Sequence, residues 1–120
     1  MSIRVMVVDD SRLVRVQLGD VLEGTDYEIV AYCRSGEDAI AQFDEVKPDL
    51  VTMDIIMTGM DGLDASEIIL KQHPDARIVM VSSLAYDDTF ERAKAIGVKG
   101  FVDKPFHKEQ LLKIFEQALG

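Results

Sequence analysis

Five side chains suited to phosphate chemistry stand at four places in this 120-residue chain: Asp9-Asp10, Asp54, Ser82 and Lys104. Each place follows a short apolar run, so each is expected at a strand end. Three carboxylates brought into one crevice repel one another and stay ionised at neutral pH only if cations share the site. Lys104 supplies one positive charge. A divalent ion is the natural other, and an all-oxygen ligand set favours Mg2+, with Mn2+ able to substitute. Such an ion keeps several waters, so we assign it Asp10 and Asp54 directly, the backbone carbonyl of Ile56, and Asp9 through water. Asp54 is then placed to act as a nucleophile and become an acyl phosphate. The metal, Lys104 and the Ser82 hydroxyl give three neutralising contacts for the oxygens of the transferred group. The chain has no Gly-rich phosphate cradle, which argues against a nucleotide held here as donor.

The elements that must position these residues can be read from hydrophobic patterning. Ile3–Val8, Asp49–Met53 and Arg77–Val81 are apolar runs of buried-strand type. Tyr27–Cys33 alternates in part, as an edge strand does, and Lys99–Val102 is a short fifth strand. Between them lie helical patterns: one capped by Ser11 and running through Val21-Leu22, one from Ser35-Gly36 to Val46 ahead of Pro48, and Leu63–His73 with Ile68, Ile69 and Leu70 inward. Tyr86–Ile96 follows, ended by Gly97, and then Lys108–Leu119. Gly59 and Gly62 are the expected flexible points of the loop after Asp54. Five strands alternating with five helices imply right-handed crossovers and a doubly wound α/β parallel sheet, flavodoxin-like, in the order 2-1-3-4-5. In that order the switch point lies between the first and third strands, which end at Asp9-Asp10 and Asp54. Ser82 and Lys104 open on the same edge.

Size and charge narrow the function. The length suits one domain, residues 1–120. Twenty-two acidic against thirteen basic residues give a net charge of -9, which argues against a nucleic-acid surface or docking on an anionic membrane. One cysteine, Cys33, permits no internal disulfide and reads as a small buried hydrophobe. No signal-type segment or bilayer-spanning run is seen, so a cytoplasmic monomer is expected.

In this order and spacing the residues resemble the receiver domain of two-component response regulators, over essentially the whole chain. The resemblance rests on Asp9-Asp10, on Asp54-x-x-Met57-x-x-Met60-Asp61-Gly62, on Ser82 and on Lys104-Pro105-Phe106. It implies a phosphoacceptor Asp54, a magnesium pocket from Asp9 and Asp10, a phosphate-sensing Ser82, and Lys104 pairing with the phosphoryl group. The donor it implies is a histidine kinase, a phosphotransfer protein or a small acyl phosphate. The chain most resembles stand-alone chemotaxis-type (CheY-like) receivers, which signal by binding a partner. The resemblance also implies Phe101 as a switch residue and a downstream target on the face made by the fourth helix, fifth strand and fifth helix. Together with the tight turn needed at the sheet edge, it predicts a cis Lys104-Pro105 bond.

The chain departs from the family pattern at Thr58, where proline is usual, and at Ile56 and Leu84, where many members carry polar groups. Plainer readings exist for single residues. Asp9-Asp10 alone would suit a helix N-terminus, Phe101 a core position, Met57 and Met60 an exposed site rim, and His73 and His107 a solvated surface. Rival functions fare worse. A haloacid-dehalogenase-like phosphatase needs an acid two residues after its nucleophile, where Ile56 stands, and a flavin carrier needs a phosphate loop where Asp9-Asp10 would repel phosphate. A receiver trimmed from a longer regulator with a DNA-binding or enzymatic output domain is the alternative that shares every site residue.

Overall fold

A computed structural model of the chain describes residues 2–83 and 87–120. Strand and helix alternate throughout: β1 (Ile3–Val8), α1 (Arg12–Leu22), β2 (Tyr27–Cys33), α2 (Gly36–Val46), β3 (Leu50–Met53), α3 (Gly62–Gln72), β4 (Ile78–Ser82), α4 (Asp87–Ile96), β5 (Gly100–Asp103) and α5 (Lys108–Leu119). The five strands form one parallel sheet in the order β2-β1-β3-β4-β5, the doubly wound arrangement that the alternation predicts.

Successive strand residues point to opposite faces, so each central strand feeds two cores. Val5, Val7, Leu50, Val79 and Val81 pack with Leu18 of α1 and Leu111 and Phe115 of α5. Met6, Val8, Val51, Met53 and Met80 pack with Ala39 and Phe43 of α2, Ile69 of α3 and Ala93 of α4. Phe115 is fully buried and meets Tyr27 edge-on, with ring centroids 5.2 Å apart.

Local chemistry sets where the helices begin. The Ser11 hydroxyl accepts from the Val14 N–H, the Ser35 hydroxyl from Asp38 and the Asp61 carboxylate from Asp64, each satisfying a donor that the first turn leaves without a partner. Lys47 ends α2 at φ 48, and Gly97 follows α4 at φ 104, where a glycine is favoured.

Several boundaries differ from the sequence reading. β3 begins at Leu50; just before it the Asp49 carboxylate accepts the Arg4 N–H at 2.8 Å and the Asp49 N–H donates to the Arg4 carbonyl at 2.8 Å. α3 begins at Gly62, β4 spans Ile78–Ser82, and β5 runs one residue later than expected. Of the three consecutive residues expected to face inward from α3, only Ile69 is fully buried, since neighbours on a helix are about 100° apart. Leu84 and the expected α4 start at Tyr86 lie outside the described residues.

The edge strand holds a β-bulge. Val5 pairs with Ile29 but Met6 pairs with Ala31, leaving Val30 as an extra residue. Tyr27 and Ile29 therefore face α1 and α5, whereas Ala31 and Cys33 face the α2 side.

Candidate functional site at the carboxyl edge of the sheet

Sheet hydrogen bonding runs one residue past the strands and pins the site. The Asp9 N–H donates to the Cys33 carbonyl at 3.0 Å, Asp54 to Val8 at 2.9 Å, and Lys104 to Ser82 at 3.0 Å. The backbones of the first acidic residue, the candidate nucleophile and the lysine are thus extensions of the ladder rather than free loop.

Their side chains meet. Lys104 Nζ donates to Asp9 Oδ2 at 2.9 Å and lies 3.5 Å from Asp54 Oδ2. Asp9 Oδ1 accepts from the Ser11 N–H at 2.8 Å, and Asp54 Oδ1 from the Ile55 N–H at 2.8 Å. Asp9 is 2% exposed, Asp54 7%, and Asp10 is exposed. One oxygen of each of the three carboxylates lies within 4.8 Å of the others. An all-oxygen donor set of this spacing fits a hard divalent cation. Both oxygens of Asp9 already hold partners, which leaves the exposed Asp10 freer to ligate.

The electrostatics are those of a crowded acidic pocket. The Asp54 carboxyl is pushed above its usual range, first by burial and then by the Asp9 charge. Lys104 and the Ile55 N–H work in the opposite direction. Burial and the neighbouring like charge disfavour the ionised form, and added positive charge nearby would favour it.

The loop after β3 is clamped by close approach. A Cβ on Gly62 would stand 1.8 Å from the Asp54 carbonyl oxygen, and the Gly62 N–H donates to the Ile55 carbonyl at 2.8 Å. Gly62 is therefore required for proximity, where the sequence reading took it as a flexible point. Gly59 does adopt a positive φ, 84°. Gly36, at the start of α2, lies so close to the Ala65 side chain and the Met60 carbonyl that a Cβ there would collide. The sequence reading missed this contact; a glycine just after the Ser35 cap is the one signal that hints at it. Met57 is buried rather than on an exposed rim, and Met60 is half-buried, because the loop folds back over the α2–α3 core. The Ile56 side chain instead reaches solvent, 60% exposed.

Ser82, at the end of β4, is buried at the same edge. The Lys104-Pro105 bond is cis. Phe101 of β5 is half-buried against Phe90 of α4, with ring centroids 4.3 Å apart, and both line a cavity of about 120 Å³ with Lys94, Val98 and Lys99. His107 is exposed as expected. His73 is half-buried rather than fully solvated: it stacks on Phe43 at 4.4 Å and lies 3.0 Å from Asp44. Among the described residues no helix is long and apolar enough to cross a membrane.

Comparison with known proteins agrees with this geometry. The family model of the response regulator receiver domain matches residues 5–116. The chain is 35% identical over 116 residues to chemotaxis protein CheY of Listeria monocytogenes, covering 97% of this chain and 98% of that protein. It is 35% identical over 120 residues to CheY of Bacillus subtilis, covering the whole of both. Among solved structures, the CheX-CheY-BeF3-Mg complex from Borrelia burgdorferi matches with a TM-score of 0.94 at 27% identity, over 98% of this chain and 90% of that one. The response regulator domain of Thermotoga maritima CheB matches with a TM-score of 0.87 at 33% identity, over 98% and 97%. The chain is a CheY-like signalling protein and belongs to the response regulator receiver domain family.

Proposed function

We propose that the chain is a phosphorylation-activated switch that accepts a phosphoryl group on Asp54 from a histidine kinase or phosphotransfer protein and signals by binding a protein target, in a chemotaxis-like role. The observation that carries this is the shared contact of Lys104 Nζ with Asp9 and Asp54, beside the exposed Asp10. An Asp54 oxygen attacks the phosphorus, the bond from phosphorus to the donor nitrogen or oxygen breaks, and the donor leaves with that electron pair. Lys104, held within reach by Asp9, pairs with the incoming negative charge. The Ser82 hydroxyl lies at the neighbouring strand end as a further contact. Mg2+, or Mn2+ in its place, would be held by Asp10, Asp54 and the Ile56 carbonyl with Asp9 behind, and would supply charge neutralisation for the phosphoryl oxygens. Slow self-dephosphorylation by water returns the free carboxylate.

The readout surface is the α4-β5-α5 face, where Lys99, Lys108 and Lys113 are exposed around Phe101. Phe101 is the switch residue: its ring changes packing when the phosphoryl group is contacted by Ser82, and phosphorylation biases that change through differential contacts. The protein acts in the cytoplasm as a monomer, without binding nucleic acid or membrane directly.

Incubation with acetyl phosphate and Mg2+, followed by intact-mass and peptide analysis, tests the reading. One phosphoryl group on Asp54 is expected, lost in Asp54→Ala, with weaker Mg2+ binding in Asp10→Ala. Label that persists on Asp54→Ala overturns the assignment. Amide shifts on adding beryllofluoride and Mg2+ are expected to reach α4 and β5. Shifts confined to the pocket would place the readout on another surface.

A further inference from the structure

A line of contacts runs from the Asp54 backbone to α4. The Gly62 backbone passes too close to the Asp54 carbonyl to leave room for a Cβ, and its N–H donates to the Ile55 carbonyl, which ties the α3 N-terminus to the site loop. Two residues on, the Asp64 N–H is held by the Asp61 cap and its carboxylate accepts from Arg92 Nη2 at 2.5 Å. Arg92 belongs to α4, where Ala93 is buried and Phe90 and Ile96 are half-buried. Among the described residues the Asp64–Arg92 contact is the only ion pair made by α4. Phe90, two residues from Arg92, carries the ring that packs on Phe101. A helix with so little buried apolar surface is one whose position a single polar tie can bias.

The charges around Arg92 strengthen the tie. The Arg92 basicity is raised first by the Asp64 hydrogen bond and further by the charges of Asp61, the cap of α3, and Glu67, which also pairs with Lys71 at 3.7 Å.

We infer that the Asp64–Arg92 ion pair is a regulatory latch that holds α4 in its present position and opposes the phosphorylated arrangement. The inference rests on Asp54 being the phosphoacceptor. It adds a path from the site to α4 through α3, separate from the one through Ser82 and Phe101. An ion pair this exposed biases an equilibrium by a factor of up to about five. By linkage, whatever the latch costs the activated state is returned as affinity for the ligand that favours that state.

The test is a double-mutant cycle on the intact chain, with beryllofluoride and Mg2+ as the probe. Arg92→Gln and Asp64→Asn are each expected to tighten beryllofluoride binding by up to about fivefold, and the double variant D64N/R92Q by no more than either alone. Arg92→Lys is expected to fall nearer to wild type. Without beryllofluoride, the α4 amides of both single variants are expected to exchange faster, by the same factor. Unchanged affinity, or effects that add in the double variant, overturns the latch. If wild type fails to bind beryllofluoride, the Asp54 reading fails instead. The opposition to the phosphorylated arrangement is then overturned with it, and the exchange cycle decides the hold on α4 alone: equal, non-additive loss of α4 protection shows that the pair holds the helix, and unchanged protection overturns that too.

Discussion

Lys104→Met breaks the site at its most informative point. It leaves Asp9 and Asp54, 2% and 7% exposed, facing each other without their shared cation. At separations of 2.9 and 3.5 Å, the gross attraction is about 5 kcal/mol for each pair in an effective dielectric of 20. Dehydrating the ammonium, whose side chain is 19% exposed, offsets much of it. Removing one partner of a buried pair has a net cost of about 3–5 kcal/mol, and the opening on the Asp10 side puts this case near 3. The pH dependence follows from the direction of the Asp54 shift. Its carboxyl is raised in the fold by burial and by Asp9, and the variant loses both lowering contributions from Lys104, so it rises further. A carboxyl raised by folding contributes stability that is complete below its unfolded value of 3.8 and is lost as pH rises through the folded value. The deficit of Lys104→Met is therefore largest at neutral pH and shrinks on acidification. Urea unfolding of both proteins, with chelator, at about pH 7 and about pH 4.5 reads it directly. A deficit under about 1 kcal/mol at neutral pH, or one equal at both pH values, would refute the reasoning. Adding Asp54→Asn to the variant is expected to recover most of the loss.

Three further outcomes are expected. Thr52→Val keeps the shape of a side chain that is 2% exposed and removes a buried hydroxyl without a partner, so it raises stability by about 1–2 kcal/mol in denaturant melts; a loss would show that the hydroxyl is satisfied. Gly62→Ala sets a Cβ against the Asp54 carbonyl and is expected to cost about 3 kcal/mol and slow Asp54 labelling by acetyl phosphate. Wild-type kinetics in a folded Gly62→Ala protein would contradict the clamp. The Cys33 thiol is fully buried and pushed up to about 11, first by burial and then by Asp38, so a disulfide exchange reagent modifies it only as the protein unfolds. Modification within minutes under native conditions would count against that.

The sheet order and the meeting of Asp9, Asp54, Ser82 and Lys104 at one edge were legible before any coordinates. A buried parallel strand has a strong compositional signature, and the handedness rule leaves few ways to connect five of them. Ser11 and Ser35 announced two helix starts through side-chain chemistry that acts within three residues. α5 was placed to the residue because its apolar period is unbroken from Leu111 to Leu119.

Other features are set by contacts between residues distant in sequence and emerge only when the elements pack. Gly62 and Gly36 look like turn glycines, yet what each position requires is the absence of a Cβ where another backbone or side chain passes. Val30 looks like one more strand residue, yet it is the bulge that turns Cys33 into the α2-side core, and alternation along the strand cannot reveal which residue its neighbour skips. His73 reads as surface until Phe43 and Asp44 of α2 are brought against it. The Asp64–Arg92 pair spans 28 residues and two helices, and no local pattern distinguishes it from any other exposed acid and base. Local preference and period specify the elements and their order. Close approach, bulges and side-chain partners depend on how those elements pack, so they belong to the fold as a whole.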